Sequence, residues 1–220
     1  MAVTAQDLAD AVYEDIVAGV FPPGGRLVEE RLTERYGVKR HALREALALL
    51  AEATLIERLP NRGAQVRDPD PREMRELYAI RLLLEAEAAR ITPLPAPSQA
   101  LDEMEAIQAR HSAALKAGDL RGMLRLNARF HRTQYACCGN VMLREAIADY
   151  ARRAHPVTIL KFPEARVMEV IEAQHRQILA AMAGTDTDAL VAAVRAHFDH
   201  ARLDAYEARW RAAHASAAAE

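Results

Sequence analysis

Four residues in the second half of the 220-residue chain have the types and spacing to hold a divalent cation: Asn127, His131, His175 and His197. Asn127 and His131 stand four apart, so on a helix they project from one face. Neighbouring helices of a bundle can aim further ligands at the same point. Imidazole suits zinc, nickel, copper or iron, and three histidines with one amide oxygen leave coordination positions open. A histidine taken singly is more often a surface or packing residue, so spacing must carry this reading. His200, three residues after His197, is the alternative should that helix be rotated. His41, His111, His155 and His214 fall in no such pattern and receive no metal role.

A second constellation lies near the N-terminus. Lys39, Arg40, His41 and Arg44 cluster, with Arg40 and Arg44 on one helical face and Leu43, Leu47 and Leu50 on the other. A guanidinium can donate two parallel hydrogen bonds to guanine in the major groove or clamp a phosphate, so the face suits DNA. A merely solvated basic face is an equal alternative on these residues alone. Net charge is -2, which by itself argues against a nucleic-acid partner, because neutralising phosphates needs clustered Lys and Arg. The charge is unevenly placed, however. Residues 1–34 set Arg26 and Arg31 against Asp7, Asp10, Glu14, Asp15, Glu29, Glu30 and Glu34. Residues 35–67 hold Arg35, Lys39, Arg40, Arg44, Arg58, Arg62 and Arg67 against Glu45, Glu52 and Glu57.

The elements that must position these groups are mostly helical, since 51% of the residues are apolar, only 5% are aromatic, and Gly and Pro are sparse. Leu8, Val12 and Ile16 predict a helix over 6–19, with Gly19 at its C-terminal cap and Phe21-Pro22-Pro23-Gly24-Gly25 as the break. Patterns over 29–36 and 39–53, separated by Gly37, predict a helix-turn-helix. The runs 55–59 and 64–66 flank Pro60-Asn61-Arg62-Gly63 and predict a hairpin, the wing. Asp68-Pro69-Asp70-Pro71 then breaks regular structure, with Asp70 as N-cap and proline at the first helical position. This sets the expected boundary between a DNA-binding domain, 1–68, and a helical domain, 69–220. Helices are expected over 71–91, 98–117, 119–137, 140–158, 163–183 and 187–214, an antiparallel bundle.

The N-terminal pattern resembles the DNA-binding domain of the GntR superfamily. The residues that carry the likeness are Ile16-Val17-Ala18-Gly19, Pro23-Gly24-Gly25-Arg26-Leu27, Leu32, Gly37-Val38, Arg40, Leu43-Arg44-Glu45-Ala46-Leu47, Leu50 and Arg62-Gly63. The resemblance implies that Arg40 and Arg44 contact DNA, that Lys39 and His41 flank them, and that the wing near Arg62 and Gly63 approaches the minor groove. Lys39-Arg40-His41-Ala42-Leu43 departs from the family's usual Ser-Arg-Thr-Pro-Val, which bears on the operator sequence. Glu45 is read as orienting Arg44 or supporting the helix start.

The segments Leu126-Asn127-Ala128-Arg129-Phe130-His131, Gln174-His175-Arg176-Gln177-Ile178-Leu179 and Ala196-His197-Phe198 resemble the FCD effector domain of the FadR-like branch, as does Arg81-Leu82-Leu83-Leu84-Glu85. That likeness implies Asn127, His131, His175 and His197 as ligands to a divalent metal, zinc or nickel, and Arg81 as the partner of a small carboxylate. It further implies a homodimer on a palindromic operator and repression relieved by an organic acid.

No stretch approaches the roughly 20 apolar residues of a membrane span, and no secretory leader is evident, so a cytoplasmic protein is expected. Cys137 and Cys138 are adjacent, form no C-x-x-C pair, and read as packing residues. An enzyme is not expected: there is no H-E-x-x-H, and no carboxylate is placed as a general base. A metal-dependent hydrolase and a constitutive DNA-binding protein with a structural metal are the alternatives.

Overall fold

Thr4 opens the first helix, α1 (Ala5–Val17), through a reciprocal cap. Its hydroxyl accepts from the Asp7 backbone N–H at 3.1 Å, and the Asp7 carboxylate accepts from the Thr4 N–H at 3.0 Å. In the computed structural model, which describes residues 4–59, 63–154, 165–198 and 201–215, two further helices follow, α2 (Glu29–Tyr36) and α3 (Arg40–Glu52). Gly37 ends α2 in the left-handed region, φ 64° and ψ 32°, which glycine adopts without a Cβ penalty.

The sheet has three strands, β1 (Arg26–Leu27), β2 (Ile56–Leu59) and β3 (Gly63–Val66), antiparallel in the order β1-β3-β2. The expected hairpin is present with its strands shifted by a residue at one end each. The third strand, β1, was not expected: two residues carry no readable alternation. Leu27 pairs with Ala64, and Ile56 with Val66. Val12, Ile16, Leu27, Leu43, Leu47 and Val66 fill the core beneath, each at most 2% exposed.

The chain divides into two compact units, Met1–Pro69 and Asp70–Glu220. The second opens on α4 (Pro71–Ile91), where the Asp70 carboxylate accepts from the Glu73 N–H at 2.8 Å. Then come α5 (Ser98–Lys116), α6 (Leu120–Ala136), α7 (Val141–Arg153), α8 (Ala165–Ala183), α9 (Thr187–His197) and α10 (Ala201–His214). Side-chain caps start α6 at Asp119, α7 at Asn140 and α9 at Asp186.

Two expected spans need correction. The single helix over 187–214 is two, because α9 stops at His197 and Phe198 leaves the helical region at φ -85° and ψ 77°. The Phe198 ring instead meets Tyr78 edge-on at 6.0 Å. The helix expected over 140–158 ends at Arg153, with Ala154 as its cap. His155 and the Phe162-Pro163 break lie outside the described residues.

Helix α5 packs on α6 and α8, α4 on α7 and α9, and α8 on α9. Phe130, Met104, Ile107, Ile178, Met182 and Leu190 make the central core; a fully buried side chain of this kind stabilises by about 1.5–3 kcal/mol. Cys137 and Cys138 are free thiols that pack against apolar neighbours. Among the described residues no helix is long and apolar enough to cross a membrane.

Candidate DNA-reading face and effector site

Burial of Leu43, Ala46, Leu47 and Leu50 turns the opposite face of α3 to solvent. Lys39, Arg40, His41 and Arg44 are exposed there, the His41 side chain at 85% and Arg44 at 59%. Lys39 caps α3 without a side-chain bond, so the first-turn N–H groups add their partial positive charge to the basic side chains, as phosphate recognition requires.

Arg44 is steadied rather than loose. Its Nε donates to both carboxylate oxygens of Glu29, at 3.0 and 3.1 Å. Glu45 faces His41 instead, at 3.4 Å. The expectation that Glu45 orients Arg44 is therefore corrected, since α2 packs on α3 and brings Glu29 into reach. Behind this face, buried Asp15 accepts from Arg35 Nε and from the Tyr36 hydroxyl, both at 2.7 Å, and so ties α1 to α2. Burial, and then the Asp15 hydrogen bond, push the Tyr36 hydroxyl well above its ordinary pKa. Arg35, counted above among the basic residues, spends its Nε internally.

Gly63 opens β3 with φ 83°, and a Cβ there would sit 2.8 Å from the Leu27 carbonyl oxygen. The residue is thus required for β1 to close on the wing. Arg62, the wing's candidate contact, lies outside the described residues.

In the second unit, α6, α8 and α9 bring His131, His175 and His197 together, their ligand nitrogens within 4.8 Å of one another. The ring centroids form a near-regular triangle: 4.8 Å for His131–His197, 5.1 Å for His131–His175 and 5.2 Å for His175–His197. His175 is buried, and Phe130 stacks on it at 4.2 Å; the other two are half-buried. Every Nδ1 meets a glutamine Oε1: His131 with Gln134 at 3.0 Å, His175 with Gln108 at 2.7 Å, and His197 with Gln174 at 3.0 Å. No carboxylate or thiol joins the three among the described residues. An all-imidazole set fits a first-row divalent cation and not magnesium or calcium, which take oxygen. Asn127 stands one turn before His131 on α6, half-buried. His200 lies outside the described residues.

Residues 4–66 match the bacterial regulatory proteins of the gntR family, and residues 76–200 match the FCD domain, more than half of the chain. The chain belongs to the GntR family and carries an FCD domain. It is a DNA-binding, ligand-responsive transcriptional regulator. An Agrobacterium vitis HTH-type transcriptional regulator from the TAR-I ttuE-ttuC' intergenic region is 34% identical over 58% of this chain and 76% of its own length. The Escherichia coli HTH-type transcriptional repressor RspR is 27% identical, over 87% of this chain and 84% of its own. Among solved structures, Escherichia coli McbR/YncC superposes with a TM-score of 0.83 at 21% identity, covering 95% of this chain and all of that one, a likeness of fold.

In this GntR regulator Arg81 stands in an aromatic cage of its own unit, its guanidinium 5.0 Å from the Phe198 ring and 5.3 Å from that of Tyr78. Its Nε and Nη2 donate to Glu85 Oε1 at 3.0 and 2.8 Å, while the Tyr135 hydroxyl donates to Glu85 Oε2. Desolvation lowers the Arg81 pKa, but the Glu85 charge, Tyr78, Tyr135 and the Glu85 hydrogen bond together outweigh it and leave the group raised. Tyr135 in turn lies parallel to His131, centroids 6.0 Å apart. Arg81, Glu85, Tyr135 and His131 thus form one connected row. His111, which the sequence pattern left without a role, is buried on α5 with its ring 5.6 Å from His175. Burial lowers its pKa, against an opposing pull from Glu172.

Sequence reasoning missed Glu29, Glu85, Tyr135 and the three glutamines. Gln134 stands three residues after its partner His131, which is a local signal; Gln174 adjoins His175 but serves His197, on the next helix. Gln108 sits on another helix, far from His175 in sequence, and only the packing of α5 on α8 reveals it.

Proposed function

We propose that this GntR regulator is a homodimeric repressor whose grip on a palindromic operator is released by a small organic acid. The acid binds where His131, His175 and His197 converge, with Asn127 as fourth protein donor and Arg81 as carboxylate partner. The convergence of three imidazoles from three helices of the FCD domain is the observation that carries this reading. A divalent cation held by these residues, zinc or nickel, supplies a positive Lewis-acidic centre for a carboxylate oxygen.

The chain's own groups do the rest. Glu85 occupies the Nε–Nη2 edge of Arg81; the Nη1–Nη2 edge keeps the parallel donors that a carboxylate takes bidentately. Tyr135 holds Glu85 in place and keeps the second oxygen from competing. In the N-terminal unit, Arg40 and Arg44 read or clamp the major groove, with Lys39, His41, Arg62 and Gly63 at its edges. Two copies set their α3 helices one turn of DNA apart, about 34–36 Å. Repression, rather than activation, is supported by the character of the relative RspR.

Elemental analysis of the purified protein, with thermal shift against a panel of small carboxylates before and after chelation, tests the sensor half. The expected result is one divalent ion per chain and stabilisation by one acid that disappears on chelation, followed by release of operator DNA by that acid. A metal-free protein that no carboxylate stabilises would overturn it and leave the DNA-binding half standing.

A further inference from the structure

The geometry points to Gln108, Gln134 and Gln174 as positioning residues that lock all three histidines in one tautomer, with the proton on Nδ1 and the lone pair on Nε2. A carboxamide oxygen has no proton to give, so a histidine nitrogen in contact with it must be the donor. For His175, His131 and His197 that nitrogen is Nδ1, at 2.7, 3.0 and 3.0 Å. Neutral imidazole has one proton, so Nε2 is then the nitrogen able to ligate.

The orientation of one of the amides is set independently. Gln174 Nε2 donates to the Ala196 carbonyl oxygen at 3.0 Å. A carbonyl only accepts, so the amide nitrogen must face it and the oxygen must face His197. Gln108, only 6% exposed, is held between His175 and the Ser112 hydroxyl, which lies 3.4 Å from its Nε2. Gln134 acts from within α6, three residues after His131. The shell therefore draws on α5, α6 and α8 and reaches histidines on α6, α8 and α9, so the donor set is fixed by packing before any ligand arrives.

A carboxylate would fix the same tautomer but would add negative charge. Glutamine fixes it neutrally, so a dication at this site keeps its full charge for an anionic effector. The claim about metal affinity rests on the metal reading above; the claim about tautomers does not.

The experiment records long-range 15N–1H correlation spectra of the metal-free full-length protein, and zinc affinity by competition with a chelating dye, for the wild type and for Gln108→Met, Gln134→Met and Gln108→Glu. Expected in the wild type are Nδ1–H tautomers for His131, His175 and His197. Gln108→Met should scramble the tautomer of His175 alone and Gln134→Met that of His131 alone, each weakening zinc roughly 10–100-fold. Gln108→Glu should restore both readouts. Wild-type histidines carrying the proton on Nε2, or Met variants with unchanged tautomers, overturn the inference even if a variant is poorly folded. Correct tautomers in a protein that binds no zinc support the glutamine shell and overturn the metal reading instead.

Discussion

Arg44 carries its charge at the protein surface yet has its Nε held by Glu29, and this separates what two substitutions should do. Arg44→Ala removes the donors themselves and should weaken operator binding by about 1–3 kcal/mol, the worth of a bidentate base contact. Glu29→Gln keeps the cation but loosens it. Operator affinity should fall less, while affinity for a scrambled duplex holds or rises, because phosphate contacts need charge rather than orientation. Fluorescence anisotropy at one salt concentration against both duplexes distinguishes them, and equal losses on both would make Arg44 a phosphate contact only. Asp15 is the other residue on which this half depends. Asp15→Ala strips the acceptor from Arg35 and Tyr36 and should cost about 1–3 kcal/mol in urea unfolding of the full chain; a smaller change would mean that the two donors find other acceptors. Helical spacing alone made the exposed face of Arg40 and Arg44 readable. It did not reveal Glu29, fifteen residues from Arg44 in sequence, because charge pairing between helices depends on how they pack.

At the scale of elements, caps and glycines were the readable features, and tertiary contacts supplied the exceptions. Asp70 with Pro71 starts α4, and Gly37 ends α2, as local chemistry dictates. The break after α9 has no glycine or proline; Phe198 leaves the helix and instead packs beside Tyr78 and Arg81, a contact that no local pattern signals. Strand β1 escaped for a related reason. It is two residues long and exists because β3 pairs with it. Gly63 is the hinge of that pairing, so Gly63→Ala should be costly twice: at φ 83° a Cβ is strained, and it would press on the Leu27 carbonyl at 2.8 Å. A loss of roughly 1–3 kcal/mol in stability is expected, with operator affinity falling as the wing is displaced. Urea unfolding and anisotropy on the same preparation check both. Unchanged stability would show that β1 yields at no cost and that the wing tolerates any residue there.

For the whole molecule, the family and the fold were legible because they rest on patterns of many residues, whereas the candidate effector site is a few side chains, several of whose partners come from distant helices. His131, His175 and His197 were found by spacing and resemblance. The pairing of Gln108 and Gln174 with these histidines, and of Tyr135 with Glu85, emerged only from packing. A regulator that releases DNA on binding an acid must hold that acid more tightly when free of DNA, since an effector with equal affinity for both states shifts nothing. The coupling is reciprocal: whatever factor the acid takes from operator affinity, the operator must take from acid affinity. The carboxylate selected by thermal shift should therefore bind about 5–150-fold more weakly to the operator complex than to the free protein, and the two factors should agree when measured by calorimetry and anisotropy at one salt concentration. His197→Ala should abolish both factors together while leaving operator affinity without acid intact, because it acts in the FCD domain and not on α3. Loss of acid binding with operator release preserved would place the true effector elsewhere in the molecule.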